Sequence, residues 1–327
     1  MSELAGVVDG WFGGLWSVVA GVVILAGLLG LTTSMIWIER RLLAGFQDRI
    51  GPNRVGPGGL LQPIADVIKL FMKEDWVPPF ADKVIFVLAP AILVSTVLAA
   101  FAVVPFAETL RVADANVGLV FVLAMLSMGV YSIVLAGWSS NSKYSLIGAM
   151  RAAAQIISYD LSLALSLVGV VMLAGSFRLT DVVNAQSGVW FCALQPLGFL
   201  IFLTAGVAEA RRNPFDLPEA DSEIVAGYHT EYSGMKFALF FMGEYLDIIL
   251  ISAMTTVLFL GGWHGPVLPG LVWFALKMGA VIFLFIWLRA VMPRFRYDQL
   301  MSLGWKVLLP LSLLNILVTG AVALAVR

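Results

Sequence analysis

Apolar residues in this chain gather into long unbroken runs, separated by shorter stretches that hold most of the charge. A membrane-crossing helix needs about 20 mainly apolar residues at a rise of about 1.5 Å each. Eight runs meet that length, at residues 12–38, 84–106, 117–137, 146–173, 190–208, 236–260, 271–290 and 303–325. A transmembrane barrel would instead show weak alternation in segments of about ten residues. The pattern predicts an all-α, polytopic membrane protein, with residues 1–327 forming a single membrane domain of about eight transmembrane helices. Pro90, Pro196 and Pro310 fall inside runs and are expected to kink them.

Between the first two runs the pattern changes. Gly51 to Gly59 is rich in Gly and Pro, which suits consecutive tight turns. From Leu60 to Lys73, polar Gln62, Asp66, Lys69 and Lys73 recur at helical spacing, while Leu60, Leu61, Ile64, Val67, Ile68 and Phe71 fill the other faces. This predicts an amphipathic helix lying at the membrane interface, read either as an anchor or as the mouth of a pocket for an amphiphile.

Composition agrees with a lipid-embedded chain: 60% of the residues are hydrophobic and only 13% charged. Soluble domains average about 45–50% apolar residues. The net charge of -1 leaves no basic face for nucleic acid. What matters is where the charge lies. Sixteen of the 20 Lys and Arg residues fall in the loops after runs one, three, five and seven. Positive charge accumulates on the inside, so these loops are expected to face inward and both termini outward. Glu3 and Asp9 precede the first run while Arg40 and Arg41 follow it, the reverse of a signal peptide, so this segment is expected to remain as a helix. The first inside loop is residues 40–83; the third, residues 209–235, is acidic.

Candidate chemistry is confined to few residues. One Cys and two His are too few for an iron–sulfur cluster or a structural zinc site, and no phosphate-binding loop is present. Six acids (Glu209, Asp216, Glu219, Asp221, Glu223, Glu231) crowd the third inside loop against Arg211 and Arg212. Crowded carboxylates raise one another's pKa, which suits proton exchange. Ionisable residues within membrane spans are costly and mark function by default. Here they are Asp160, the pair Glu244 and Asp247 on one helical face, and Lys277, for which snorkelling to the outer interface is an equal reading. Glu39 and Arg40 close the first run.

Several motifs carry a resemblance to a known family. They are Glu39-Arg40-Arg41, Gly51-Pro52-Asn53-Arg54-Val55-Gly56, Leu61-Gln62-Pro63-Ile64-Ala65-Asp66, Lys69-Leu70-Phe71-Met72-Lys73-Glu74 and Gly148-Ala149-Met150-Arg151-Ala152. With Pro214-Phe215-Asp216-Leu217-Pro218-Glu219-Ala220, Glu231-Tyr232-Ser233-Gly234-Met235 and Pro293-Arg294-Phe295-Arg296-Tyr297-Asp298-Gln299, they run nearly end to end. The chain resembles the quinone-chamber membrane subunit of bacterial respiratory NADH:quinone oxidoreductase, complex I. The resemblance implies a multi-pass subunit of the inner membrane that joins the membrane arm to the peripheral arm and helps enclose a quinone-access chamber. It also implies that the chain binds no cofactor of its own. FMN and iron–sulfur clusters would lie on partner subunits, and small and antiporter-like membrane subunits would be neighbours. By position, Glu39, Arg40, Asp66, Arg294 and Arg296 match residues near the quinone chamber. Asp160, Glu209, Glu219, Asp221, Glu223, Glu231 and Glu244 match an acidic path for coupling and protons. At 160 and 221 the family pattern leads one to expect Glu; this chain has Asp. The alternative reading is the homologous docking subunit of a membrane-bound hydrogenase, which uses no quinone. A freestanding transporter would show inverted repeats, and no symmetry relates residues 1–160 to 161–327.

Overall fold

The computed structural model describes the backbone of residues 2–108, 110–218 and 224–326, and the side chains of residues 18–325 within those segments. Its α-helices are α1 (Ser2–Phe46), α2 (Gln62–Met72), α3 (Lys83–Phe101), α4 (Gly118–Ser139), α5 (Lys143–Ala174), α6 (Leu179–Ala185), α7 (Phe191–Leu194) and α8 (Pro196–Glu209). There follow α9 (Gly234–Phe259), α10 (Gly270–Val291), α11 (Tyr297–Ser302) and α12 (Leu309–Val326). No strand occurs among the described residues. A π-helical segment, Leu303–Leu308, joins α11 and α12 into one rod. Pro310 has no N–H to offer the preceding turn, and the helix widens there.

Among the described residues, seven helices are long and apolar enough to cross a membrane. The exception is the run at 190–208. Gln195 leaves the helical region at φ -132° and ψ 62°, and Pro196 opens a new helix at its first turn. Its 14 residues rise only about 21 Å, against a hydrocarbon core of about 30 Å. The segment still runs most of the depth of the bundle. Gln195 lies against Gly169, near the end of α5, while the Ala208 carbonyl accepts from Gln155, about four turns earlier on the same helix. α6 and α7 supply the rest.

α1 is longer than its apolar run and carries Arg40 and Arg41 in its last turns, so the loop expected from residue 40 begins beyond Phe46. Trp37 and Arg41 then catch the Gly/Pro turns, donating to the Gly58 carbonyl at 3.2 and 2.6 Å. Gly59 adopts φ +77°, and a Cβ there would collide with the Pro52 carbonyl. The interfacial helix forms as expected: on α2, Ile64, Ile68 and Phe71 expose an apolar face and Lys69 stays exposed beside it.

α9 is the axis of the fold, with every residue from Gly243 to Phe259 buried. A helix apolar around its whole circumference must be enclosed by other helices. Here α1, α3, α8 and α10 pack around it. Lys277 of α10 is buried, and its ammonium donates to backbone carbonyls of the turn that follows α9.

The chain returning from the third inside loop lies directly on α5, where the Ser145 hydroxyl donates to the Tyr228 carbonyl at 2.8 Å. A Cβ on Gly148 would stand 2.6 Å from the Gly227 Cα and 2.9 Å from the Tyr228 N, both backbone atoms that cannot yield cheaply. Gly148→Ala is therefore expected to cost about 1–3 kcal/mol through overpacking. Thermal denaturation of the purified protein would register this as a lowered midpoint.

Candidate functional site

A buried ion network joins four parts of the chain. Glu39, near the end of α1, is 4% exposed and accepts from Arg212 at 3.2 Å and from Arg289 of α10. Arg212 also pairs with Glu244 of α9 at 2.8 Å, and its guanidinium lies over the Tyr245 ring at 4.6 Å. Burial by itself would lower the Arg212 pKa. The Glu244 and Glu39 carboxylates, with Tyr245, outweigh that and hold the guanidinium above its ordinary value.

Next to it, Arg211 pairs with Asp247 at 3.1 Å and donates to the Tyr228 hydroxyl at 2.9 Å. Local backbone explains why adjacent arginines reach different acids. α8 ends at Glu209, and Arg211 takes φ +53°, the left-handed conformation that turns the chain sharply. The Gln155 amide fixes this turn from α5, donating to the Ala208 and Phe215 carbonyls at 2.9 and 3.0 Å. Glu244 and Asp247, one helical turn apart on α9, then receive one guanidinium each.

Deeper in the bundle, Glu209, Arg211 and Asp247 share the wall of a cavity of about 10 Å³, room for about one water, whose other sides are apolar. One Glu209 carboxylate oxygen has no hydrogen-bond partner among the described residues. Asp160 lies on α5, close enough to Glu209 for the two carboxylates to interact, and the Ser127 hydroxyl of α4 donates to it.

Two further cavities meet at one side chain. A cavity of about 150 Å³ is lined by charged and aromatic groups including Arg212, Asp216, His229, Glu244 and Arg289. A second, of about 210 Å³, lies between α1, α2 and α9 and is walled by Leu29, Ile36, Val67, Leu70, Leu239 and Met242. The hydroxyls of Thr32 and Thr33 border it but are spent on their own helix, donating to the Leu28 and Leu29 carbonyls. Phe241 belongs to both cavities and divides them.

The structure thus brings together Glu39 and Glu244 through Arg212, and gathers Glu209 with Asp247. Arg40 and Asp66 pair with each other at 2.6 Å between α1 and α2, outside the network. Arg294 reaches Asp216 at 2.9 Å, at the edge of the charged cavity. Arg296 turns instead to Asp298, two residues along, with most of its side chain exposed. Glu231 is half-buried before α9 and makes no ion pair among the described residues. Glu219, Asp221 and Glu223 lie outside the described residues. Sequence reasoning singled out neither Arg212 nor Arg289 as site residues, and it passed over Ser127. The signal for Arg212 was present: two arginines among six acids, close to a membrane boundary.

The family model described as NADH dehydrogenase matches residues 19–320. Among curated proteins, the chain is 58% identical over 308 residues to the NADH-quinone oxidoreductase H subunit 2 of Geobacter sulfurreducens, covering 91% of this chain and 94% of the relative. It is 60% identical over 293 residues to the NADH-quinone oxidoreductase H subunit of Methylococcus capsulatus, covering 89% and 93%.

The two kinds of ion pair differ in consequence. Arg212→Met would leave two buried carboxylates without their shared cation, at a cost of about 3–5 kcal/mol. Arg40→Met removes a solvent-exposed pair, worth about 0–1 kcal/mol. Parallel thermal melts are expected to show a large drop for the first and little change for the second.

Proposed function

The chain belongs to the NADH dehydrogenase family as an H-type membrane subunit of NADH:quinone oxidoreductase, and from that premise we propose that it encloses the route by which quinone reaches its reduction site. The observation that carries this reading is the pair of cavities divided by Phe241. A quinone is an amphiphile with a long apolar tail and a polar head. The wall between α1, α2 and α9 presents no free polar donor among its threonines, which suits the tail. The charged cavity beyond Phe241 suits a head group that gains protons on reduction. The interfacial helix α2 forms the rim at which such a molecule would leave the bilayer. The relatives are named for the quinone reductase, and nothing among them favours the hydrogenase reading.

The coupling element, on this reading, is the ion network itself. Reduction of the head group changes the charge beside Arg212 and Glu244, and each carboxylate answers because it is buried and shares its cation. The response passes from Glu244 to Asp247, one turn along α9, and to Glu209 across the small cavity. Asp160, fixed by Ser127 instead of by a cation, is the next station. Glu219, Asp221, Glu223 and Glu231 would extend the path at the surface. Glu39, Arg40, Asp66 and Arg294 would border the chamber, and Arg296 would act from its exposed edge.

The chain lies in the bacterial inner membrane with its charged loops inward and both termini outward. Those loops meet the quinone-site subunits of a peripheral arm that holds FMN and the iron–sulfur clusters. Small and antiporter-like membrane subunits flank the bundle. This chain contributes no redox centre.

Two measurements test the reading. A quinone analogue with a photoreactive group on its tail, irradiated in the assembled complex, is expected to label peptides containing residues 29–36, 67–70 and 235–242; labelling only elsewhere would overturn the assigned channel. Glu244→Gln is expected to lower NADH:quinone reductase activity and proton pumping together in assembled enzyme. Normal pumping by that variant would remove Glu244 from the path.

A further inference from the structure

Of the two histidines in the chain, His264 follows α9 and His229 precedes it, so His229 is the imidazole on the side where the charged loops gather. The chain around it is held firmly. Gly227 turns at φ +61°, the Tyr228 carbonyl accepts from Ser145 of α5, and the Tyr228 hydroxyl accepts from Arg211. The His229 carbonyl then accepts from the Tyr232 N–H at 3.0 Å as the chain turns into α9. With its neighbour pinned in this way, the His229 ring stands in the wall of the charged cavity, 5.1 Å from the Tyr228 ring and 5.4 Å from the Phe237 ring. It is half-buried, and so faces both the cavity and the loop side.

The other polar groups of that cavity are poorly suited to passing a proton on. Arg212 and Arg289 keep their charge at any working pH, and both serve Glu39. Asp216 is paired with Arg294 at 2.9 Å and Glu244 with Arg212 at 2.8 Å, so either can take a proton only by giving up an ion pair. The Asn213 amide donates to the Arg289 and Met292 carbonyls, and the Tyr228 hydroxyl is engaged by Arg211. Glu231, two residues beyond His229, does not line the cavity. An imidazole differs from all of these. Histidine ordinarily titrates near pH 6.5, and it can release a proton from one ring nitrogen while receiving one at the other.

We propose that His229 is the group through which the charged cavity exchanges protons with the side of the charged loops. A quinone head group that receives two electrons takes up two protons. As imidazolium, His229 donates one through a ring N–H, and the neutral ring is recharged from the loop side through its other nitrogen. A second passage through the same ring supplies the second proton. The inference rests on the reading that the head group reaches this cavity, and it names the donor that such a reading requires.

The test uses the assembled complex and compares wild type with His229→Gln, whose side chain still forms hydrogen bonds but carries no exchangeable charge. The variant is expected to turn over NADH and quinone several-fold more slowly. NADH-driven ferricyanide reduction, which reports the flavin of the peripheral arm, is expected to stay unchanged. Added imidazole is expected to restore much of the lost turnover and to leave wild type unaffected. Wild-type turnover is expected to fall as pH rises through the range where imidazolium loses its proton, because the charged ring is the donor; the variant should lack that step. Should His229→Gln fail to assemble, His229→Asn gives the same comparison with a smaller side chain. Wild-type turnover with an unchanged pH profile in either variant would overturn the proposal. So would a slowed variant that keeps the wild-type pH step and gains nothing from imidazole, since that marks a structural role alone. Photolabelling of residues 29–36, 67–70 and 235–242 judges the channel separately, whereas imidazole rescue judges His229.

Discussion

The arrangement depends on Arg212 being held between two carboxylates out of reach of water. Taking one guanidinium and two carboxylates into a low-dielectric interior is costly, and it is tolerated only because each charge faces a partner at close range. The cost has a structural return. Glu39 comes from α1, Glu244 from α9 and Arg289 from α10, so the network fixes three helices at one depth. A purely apolar interior would leave their relative height to nondirectional packing. The same network that sets the register of the bundle also makes it responsive, since a change of charge on any member is felt by all.

Around this knot the two cavities acquire their difference in character. On one side of Phe241 the walls are helix faces whose hydroxyls are already committed; on the other they are the network's own charges. Neither half would suffice alone. An apolar groove by itself is an ordinary lipid-facing crevice, and a charged hollow by itself would fill with water and ions. Their junction at a single aromatic ring is what the proposed route asks for, a path for a molecule with two chemically unlike ends. In that proposal Arg40 with Asp66, and Arg294 with Asp216, form the rim.

Most of the fold was legible in the sequence because lipid permits few solutions: long apolar runs must be helices, and charge must collect at their ends. Seven spans and the amphipathic α2 follow from that alone. In the fifth run Pro196 marked the kink in advance, while hydropathy is blind to Gln195 leaving the helical region before it and so to the full break between two helices. The site was legible in its acids and less so in its bases. Glu244 and Asp247 declared themselves by spacing, since a fixed helical period puts them on one face. Arg212 and Arg289 were hidden in a count of loop charges, and only tertiary structure shows which cations turn inward. Arg296 makes the converse point: its motif suggested a chamber residue, while local geometry ties it to Asp298.

The π-helical turn at Leu303–Leu308 has a consequence for the last rod of the bundle. A wider turn shifts the helical phase, so the faces before and after it no longer line up. Before it, α11 is tied to α5 where the Tyr159 hydroxyl donates to the Leu300 carbonyl, and within it Trp305 donates to Ser158. After it, α12 presents Thr319 to the Gln195 amide at the break between α7 and α8. A straight helix keeps one stripe toward one neighbour. This rod keeps to α5, the helix that carries Asp160, along its length, and beyond the wide turn also takes hold of the segment whose far end places Glu209 and its arginines.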